Sequence, residues 1–357
     1  MRLHPVILAG GRGERFWPLS RHSRPKQLLP LVSEKSMVEE TIGRLAGLAG
    51  PERAWILTAM DLRDAIRRAA PGVPDAQIVG EPVAKNTAPA IALAAWWLRG
   101  AGSDAVVAVL PSDHRVEPAE RFRSDLEAAA RIALERRVIV TIGLPPTRPE
   151  TGYGYIEAGE PLAPGSSARR IAGFREKPDP ATAARYASDG KHLWNGGMFL
   201  FAPEVMLEEL RAHAPDIAAL LPGLPDSPRA DGSAAAVARF YEAAPSISID
   251  YAVMEKTSRA VVIPSSFAWD DLGSWAALAD SRDADASGNV ARGETLLEDS
   301  SGVIAFSDGG LIATLGVKDL VIVRAGDVTL VCPRERAQEV RTLVQRLKQD
   351  PRRARYL

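Results

Sequence analysis

The chain has 357 residues, of which 46% are hydrophobic, so it is long enough to form one large α/β domain with a smaller unit. Lysine and arginine total 44 against 45 aspartates and glutamates, and the net charge of −1 argues against a nucleic acid partner. The single cysteine excludes an intramolecular disulfide and a thiolate metal cluster. The sequence shows no signal-peptide pattern and no apolar run of membrane-spanning length, so we expect a cytoplasmic protein without membrane contact.

Strand-like and helix-like runs alternate through the first part of the chain. Such alternation with near-continuous apolar strands predicts a parallel, doubly wound sheet. Ser36 and Glu39 match a capping box at the start of the first helix, and Thr87 is the expected cap of a helix that ends at Leu98. The predicted strands are Pro5–Ala9, Ala54–Thr58, Ala76–Gly80, Ala105–Leu110 and Val138–Leu144.

A long loop, residues 10–30, follows the first predicted strand and is rich in glycine and in cations. Gly10, Gly11 and Gly13 let backbone N–H groups approach a ligand closely. The loop matches neither the dinucleotide pattern nor the P-loop pattern. Amide dipoles and charges that converge on one anion suit a triphosphate, whereas the alternative is a flexible basic loop. The cations of the loop are Arg12, Arg15, Arg21, Arg24 and Lys26.

The middle of the chain changes its pattern. Short alternating strands with glycine and aromatic residues in 149–177 predict a hairpin inserted over the sheet. Strands at Gly197–Phe201 and Ala260–Ile263 return to the main domain.

The last part of the chain differs in composition from what precedes it. Residues 287–331 contain short Val/Ile/Leu strands separated by Gly and Asp turns, and helical periodicity returns only in Arg334–Lys348. We therefore divide the chain into domains 1–281 and 282–357. The residues alone define the second as a small β appendage that ends in a helix, which is a plausible contact for a homodimer.

Two aspartates from distant segments are candidate metal ligands. Asp113 follows an apolar run, at the carboxyl end of a predicted parallel strand, where open α/β sheets bind ligands. Asp271 lies just before a predicted helix, with Asp270 as its neighbouring rival. Two carboxylates can hold one Mg²⁺ between nucleotide phosphates, although each could instead cap a turn or helix.

A series of motifs follows in order over nearly the whole chain. They are Gly10-Gly11-x-Gly13-x-Arg15, Pro25-Lys26-Gln27, Glu81-Pro82-x-x-Lys85-Asn86-Thr87, Pro111-Ser112-Asp113-His114, Thr151-Gly152-Tyr153-Gly154-Tyr155-Ile156, Phe174-x-Glu176-Lys177-Pro178, Trp194-Asn195-x-Gly197-Met198-Phe199 and Trp269-x-Asp271-x-Gly273-Ser274-Trp275. This order resembles that of the sugar-1-phosphate nucleotidyltransferases, most closely the mannose-1-phosphate guanylyltransferases (GDP-mannose pyrophosphorylases). One departure is Arg24, where related enzymes often have Tyr or Phe.

The resemblance implies a Rossmann-like α/β nucleotidyltransferase domain of the GT-A type, with a small C-terminal left-handed β-helix and a terminal helix. It implies an enzyme that transfers GMP from GTP to α-D-mannose 1-phosphate, giving GDP-mannose and pyrophosphate, with Mg²⁺ as cofactor. Arg15, Lys26 and Asp113 are then the catalytic residues, and Asp113 and Asp271 hold the metal. The first part of the nucleotide site comprises Ala9, Gly10, Gly11 and Gly13.

The motifs further along the chain supply the base and sugar sites in this interpretation. A carboxylate at Glu81 accepts hydrogen bonds from both N1–H and the 2-amino group of guanine. Asn86 and Thr87 contact the base or only cap a helix. Asp250 is a helix cap or an acid of the sugar site, and we favour the cap. The expected sugar-phosphate residues are Gly152, Tyr153, Glu176, Lys177 and Asn195.

Two alternatives stay open. The first is the same reaction on another hexose 1-phosphate or another nucleotide, because hydroxyl readout is not visible in a sequence. The second is a catalytically silent regulator that binds nucleotide sugars. The presence of Lys26, Asp113 and Asp271 argues against it.

Overall fold

The structure is a computed structural model that describes residues 1–280 and 282–357. The chain divides into two compact units. Unit 1 comprises Met1–Gly10, Ile42–Ser112 and Val116–Trp269, and unit 2 comprises Gly11–Thr41, Asp113–Arg115 and Asp270–Leu357. The predicted boundary at residue 281 lies outside the described residues, and the division into 1–281 and 282–357 stays a prediction. Among the described residues, no helix combines the length and the apolar character needed to cross a membrane.

The regular elements alternate in the first part of the chain, as predicted. The strands are β1 (Arg2–Ala9), β2 (Trp55–Ala59), β3 (Ile78–Glu81), β4 (Ala105–Pro111), β5 (Arg115–Glu117), β6 (Ile139–Leu144), β7 (Tyr155–Pro161), β8 (Arg169–Arg175), β9 (His192–Phe201), β10 (Ala260–Pro264), β11 (Ala268–Asp270), β12 (Val290–Arg292), β13 (Thr295–Glu298), β14 (Ile304–Asp308), β15 (Ile312–Leu315), β16 (Leu320–Ala325) and β17 (Val328–Pro333). The helices are α1 (Met37–Gly43), α2 (Arg63–Ala69), α3 (Thr87–Leu98), α4 (Ala119–Arg136), α5 (Pro180–Ser188), α6 (Pro203–His213), α7 (Pro215–Ala218), α8 (Ser233–Ala243), α9 (Trp275–Asp280) and α10 (Val340–Gln349).

Unit 1 is built on a nine-stranded sheet with strand order β3-β2-β1-β4-β9-β6-β10-β8-β7. The half formed by β3, β2, β1 and β4 is parallel, as predicted. The fifth predicted strand, β6, runs in the same direction as these four, because β9 lies between β4 and β6 and is antiparallel to both. The complete sheet is therefore mixed, with β9 as an antiparallel strand that the alternation in the first part of the chain does not include. The last four residues of β9 are buried, and an antiparallel strand in that position has the same apolar sequence as a parallel one.

The predicted hairpin is confirmed as the antiparallel pair of β7 and β8. It does not lie over the sheet as expected. Instead, β8 pairs with β10 and β7 also pairs with β9, so the hairpin extends the sheet at its edge. Two hydrophobic cores line the sheet, and α3 is buried on almost every face in one of them.

In unit 2, short strands stack as coils. β12, β14 and β16 pair in parallel, and β17 closes that sheet antiparallel to β16. β13 and β15 form a second parallel sheet, so successive strands alternate between the two faces. The hydrophobic core of unit 2 also contains Trp275 from α9, and Phe16 and Trp17 from the long loop of residues 10–30, which we call the glycine loop. The handedness of these coils stays a prediction.

The helix-start predictions have mixed outcomes. The capping box of α1 is confirmed, because the backbone N–H of Ser36 donates to Glu39 Oε2 at 2.9 Å and the N–H of Glu39 donates to Ser36 Oγ at 3.4 Å. The prediction for Thr87 is wrong. Asn86 caps α3 by accepting from the Thr87 N–H, and the Thr87 hydroxyl accepts from the N–H of Ile249 instead.

Candidate active site

The glycine loop is held in shape by Gly13. Its φ of +62° is a left-handed conformation that favours glycine, and a Cβ at this position would lie 2.3 Å from the Cβ of Lys26. Gly13 precedes a short 3-10 helix, Glu14–Phe16, whose Phe16 is buried in the core of unit 2. Trp17 anchors the same loop, because its Nε1 donates to the carbonyl of Tyr356 at 2.8 Å. The loop is therefore ordered by packing, not a flexible basic segment.

Lys26 connects the loop to the two candidate metal ligands. Only 7% of its side chain is exposed, and its Nζ donates to Asp113 Oδ2 at 2.9 Å. The same ammonium donates to the backbone carbonyl of Asp271. Burial opposes ionisation of Asp113, but the charges of Lys26 and His114 outweigh it and hold the pKa of that carboxyl below its usual value. Asp113 is therefore a carboxylate at neutral pH.

These residues line a cavity of about 380 Å³ that belongs to unit 2. The Nε of Arg15 is buried there without a hydrogen-bond partner among the described residues. The acid beside it, Glu14, does not pair with Arg15 but accepts from Lys348. The cavity is lined by Arg12, Gly13, Glu14, Arg15, Phe16, Lys26, Asp113, His114, Asp271, Leu272, Gly273 and Arg341. Several cationic side chains therefore surround the cavity, and the guanidinium of Arg15 still has a hydrogen-bond donor to offer.

The donor set of the cavity fits a divalent cation that is shared with a ligand. Within the described part of the chain, no group of three or more His, Cys, Asp or Glu side chains could hold a metal alone. Asp113 and Asp271 both line the cavity, and their carboxylate oxygens are the hard donors that Mg²⁺ prefers. Mg²⁺ commonly takes one or two protein carboxylates and completes its shell with phosphate oxygens and water. The neighbouring Asp270 is engaged with the N–H of Leu272 at 2.6 Å.

A second group of predicted residues lies in unit 1, where β1 and β3 end. A Cβ on Gly10 would lie 3.3 Å from Glu81 Oε2, so this glycine leaves room for the carboxyl group. Burial raises the pKa of Glu81 to about 7, against a smaller lowering effect of the Tyr241 hydroxyl. The carbonyl of Ala9 accepts from the Thr58 hydroxyl at 2.9 Å. Glu81 is therefore a carboxyl that titrates near neutral pH beside an open glycine.

The third group, also in unit 1, brings together Glu176, Lys177, Asn195 and Asp250. Lys177 Nζ donates to Glu176 Oε1 at 2.6 Å, and Asn195 Nδ2 donates to Asp250 Oδ1 at 2.7 Å. Burial lowers the pKa of Lys177, but the hydrogen bond and charge of Glu176 and the charge of Asp250 raise it overall. The other oxygen of Glu176, Oε2, is buried without a partner among the described residues.

Asp250 is not the helix cap that we favoured. The short π-helix Asp250–Met254 has no side-chain cap, and the carboxyl group of Asp250 accepts from Asn195 instead. Burial and the nearby charge of Glu176 raise the pKa of Asp250 to about 6. The structure thus adds this acid to the third group.

Gly152 and Tyr153 precede β7, and the backbone of Tyr153 contacts the third group at Lys177. The N–H of Gly152 donates to Glu150 Oε1 at 2.9 Å. Tyr153 packs edge-on against Trp194 and Trp269 at centroid distances of 5.2 and 5.5 Å, and its carbonyl accepts from the N–H of Lys177. Tyr153 therefore fixes the backbone of Lys177 as well as an aromatic cluster.

Sequence reasoning did not single out Tyr241 or Arg341. Tyr241 is a fully buried core residue by pattern, and no sequence signal marks its place beside Glu81. Arg341 is in none of the motifs. Its only signal is the i, i+4, i+7 spacing of Arg341, Gln345 and Lys348, which places three polar side chains on one helix face.

Glycine turns, clustered cations and paired carboxylates around one cavity are the features that a polyphosphate and a divalent cation require. The class indicated is therefore that of α/β proteins that act on phosphate esters. A family model described as Nucleotidyl transferase matches residues 4–288, and one described as MannoseP isomerase/GMP-like beta-helix domain matches residues 293–347.

Similar proteins support the same classification. The alginate biosynthesis protein AlgA of Pseudomonas aeruginosa is 39% identical over 346 residues, covering 96% of this chain and 72% of that protein. A mannose-1-phosphate guanylyltransferase of Escherichia coli is 39% identical over 361 residues, covering 98% of this chain and 75% of that protein. A crystal structure described as mannose-1-phosphate geranyltransferase from Thermus thermophilus has a TM-score of 0.87 at 39% identity and covers 98% of this chain and 100% of that chain.

The chain belongs to the nucleotidyl transferase family. The expected fold class, an α/β nucleotidyltransferase domain followed by a β-helix-like unit, is confirmed.

Proposed function

We propose that the protein transfers GMP from GTP to α-D-mannose 1-phosphate, giving GDP-mannose and pyrophosphate. The observation that carries the proposal is the buried Lys26, which binds both Asp113 and the backbone of Asp271 within a cation-lined cavity. Similarity to the protein named mannose-1-phosphate guanylyltransferase in Escherichia coli supports the choice of substrates.

In the reaction, a phosphate oxygen of mannose 1-phosphate attacks the α-phosphorus of GTP, and the bond to the leaving pyrophosphate breaks on the opposite side. The main requirements are positioning and neutralisation of the charge that grows on pyrophosphate. Lys26 and Arg15 would bind the triphosphate, and the buried, unpartnered Nε of Arg15 is a donor available for it. Backbone N–H groups of the loop at Gly11 and Gly13 would add to this anion site.

Asp113 and Asp271 would hold Mg²⁺. When bound, the metal supplies positive charge to the phosphate oxygens of the nucleotide and the sugar phosphate. The ion pair with Lys26 keeps Asp113 ionised and ready to act as a ligand. His114 Nε2 lies 3.9 Å from Asp113 Oδ1, the oxygen that does not bind Lys26. His114 would therefore help to orient the Asp113 carboxylate.

Recognition of the base is assigned to Glu81. Its carboxylate would accept from N1–H and the 2-amino group of guanine, which adenine does not offer as a donor pair. Gly10 leaves the space beside this carboxyl open, and Ala9 precedes it in the chain. Asn86 is exposed next to the start of α3, so its NH₂ group is available to a ligand while its Oδ1 caps the helix. The Thr87 hydroxyl accepts a hydrogen bond from the N–H of Ile249, so we assign Thr87 a supporting role near the base.

The sugar phosphate is assigned to the third group of residues. Lys177 would bind the phosphate as a point charge. Glu176 and Asn195 would hydrogen-bond sugar hydroxyls, and the unpartnered Glu176 Oε2 is an acceptor available for one. Gly152 would allow the backbone to approach the ring, and Tyr153 would offer an apolar face to it.

The proposal extends to the surroundings of the enzyme. We infer a cytoplasmic protein that functions as a homodimer and binds neither nucleic acid nor membrane. The near-zero net charge and the single cysteine support this inference.

Pyrophosphate release tests the proposed function. GTP, ATP, UTP and dTTP are each paired with mannose 1-phosphate and glucose 1-phosphate, in Mg²⁺ and in excess EDTA. We expect turnover only with GTP and mannose 1-phosphate, and only with the metal. Turnover with another pair would overturn the base or the sugar assignment. Activity in excess EDTA would overturn the proposed requirement for Mg²⁺. Silence in every pair with nucleotide binding intact would indicate the regulator instead.

A further inference from the structure

The C-terminal helix α10 presents one polar face to the glycine loop within unit 2. Arg341, Gln345 and Lys348 are spaced i, i+4, i+7 and therefore share a face. Val340 and Val344 are buried in the core of unit 2 on the adjacent face. Burial of these valines fixes the rotation of the helix, so the direction of its polar face is set by packing.

Two of the three polar residues hold Glu14. Lys348 Nζ donates to Glu14 Oε1, and Gln345 Nε2 donates to Glu14 Oε2 at 3.2 Å. Glu14 begins the short 3-10 helix that carries Arg15. The pairing with Lys348 offsets a negative charge that would otherwise oppose an anion in the cavity.

The third residue, Arg341, lines the cavity together with Arg15 and Lys26. It makes no hydrogen bond or ion pair with any described residue, whereas Lys26 is paired with Asp113. An exposed guanidinium on a packed helix, lining the same cavity as the buried and unpartnered Nε of Arg15, is a donor without an acceptor. Guanidinium groups bind phosphate in a bidentate manner, and the terminal phosphates of a triphosphate carry the most charge.

We propose that Arg341 binds the terminal phosphates of the nucleoside triphosphate, and the pyrophosphate they become, while Gln345 and Lys348 position the loop through Glu14. The inference rests on the proposed function for its kinetic consequences, but not for the binding event itself. Unit 2 would then contribute a cation from its last helix to the same anion as Lys26 and Arg15.

Calorimetric titration of R341Q with GTP, GMP and pyrophosphate tests the proposal. Arg346 provides the matched control, because it is an exposed arginine on α10 that does not line the cavity. We expect R341Q to bind GTP and pyrophosphate about tenfold more weakly or worse, as for a lost charge-assisted hydrogen bond. GMP affinity should stay within about twofold, and R346Q should match the wild type for all three ligands.

The titration does not depend on turnover, so it decides the role of Arg341 even if the proposed reaction is never observed. Where turnover is observed, R341Q should raise KM for GTP and leave KM for mannose 1-phosphate unchanged. Unaltered GTP and pyrophosphate binding by R341Q would overturn the proposal. So would an equal loss in R346Q, since that would show a general effect of helix charge, or an equal loss for GMP, which lacks the terminal phosphates.

Discussion

Lys26 is a buried ammonium that joins three stretches of sequence: its own loop, the segment of Asp113 and the segment of Asp271. A buried charge is tolerated where it is paired and hydrogen-bonded, and here both conditions are met. The charge is therefore fixed in place before any ligand binds. Preorganised charge of this kind stabilises a developing anion without reorganisation at the moment of reaction.

Glu81 makes guanine binding dependent on pH. Because burial raises its pKa to about 7, we expect the carboxylate that accepts from guanine to be the minor form at pH 6 and the major form at pH 8. Binding of GTP should strengthen over that interval by roughly tenfold at most, the ratio of ionised fractions for one group. Titration calorimetry at several pH values measures this change.

The variant E81Q separates this effect from titration of the triphosphate itself, which is the same for both proteins. It should bind GTP weakly, without the additional pH dependence seen in the wild type. The raised pKa also has a stability consequence, because ionisation of Glu81 then opposes folding. The wild type should lose stability relative to E81Q as the pH rises from about 4.5 to about 7, and the reverse trend would contradict the assignment.

The strand positions and the parallel direction of the first strands were predictable from the sequence, but the direction of β9 was not. The predicted runs match β1, β2, β3, β4 and β6 closely. The direction of β9 depends on which neighbours it pairs with, and a strand buried on both sides carries no sign of that choice. The edge position of the β7–β8 hairpin depends on pairing for the same reason.

An irregularity in the sheet places one predicted site residue. The register between β6 and β9 shifts between Thr141 and Gly143, where Asn195 is the partner of Gly143. Gly197, two residues further on, has a φ of +64°, and its N–H donates to Asn195 Oδ1. A bulge redirects a side chain, and here it accompanies the contact of Asn195 with Asp250. The motif marked these residues, but periodicity alone would not have.

Gly13 sets the shape of the loop, and Gly13→Ala should disrupt it. Alanine in the left-handed region costs about 1–2 kcal/mol, and its Cβ would also collide with that of Lys26. We expect a lower free energy of unfolding and at least tenfold slower turnover, since Lys26 must move. Urea denaturation and pyrophosphate release measure the two effects.

Gly11 provides the control for this element, because a Cβ there would meet no atom within 4 Å. Gly11→Ala should leave the free energy of unfolding within about 0.5 kcal/mol of the wild type. Equal destabilisation by the two substitutions would show that neither the φ of Gly13 nor its contact with Lys26 is decisive.

At the scale of the whole chain, unit 2 is assembled from stretches that lie far apart in the sequence, including three residues around Asp113. The motifs marked Lys26, Asp113 and Asp271 because their residue types and order are distinctive. Arg341 belongs to no motif, and its role depends on where a helix packs, which composition and spacing do not specify. The same limit applies to Tyr241 beside Glu81 and to Asp250 beside Asn195.

The proposed homodimer can be tested on the outer face of the β13–β15 sheet. Leu296 and Leu315 leave 56% and 73% of their surface exposed, although strand alternation puts apolar residues inward. Exposed apolar side chains that share a sheet face indicate an interaction surface.

Light scattering after gel filtration should give a dimer for the wild type and a monomer for Leu315→Glu. Val331→Glu, at a residue 58% exposed on β17 in the other sheet of unit 2, should stay dimeric. A monomeric wild type at micromolar concentration, or a dimer in all three proteins, would exclude this face as the contact.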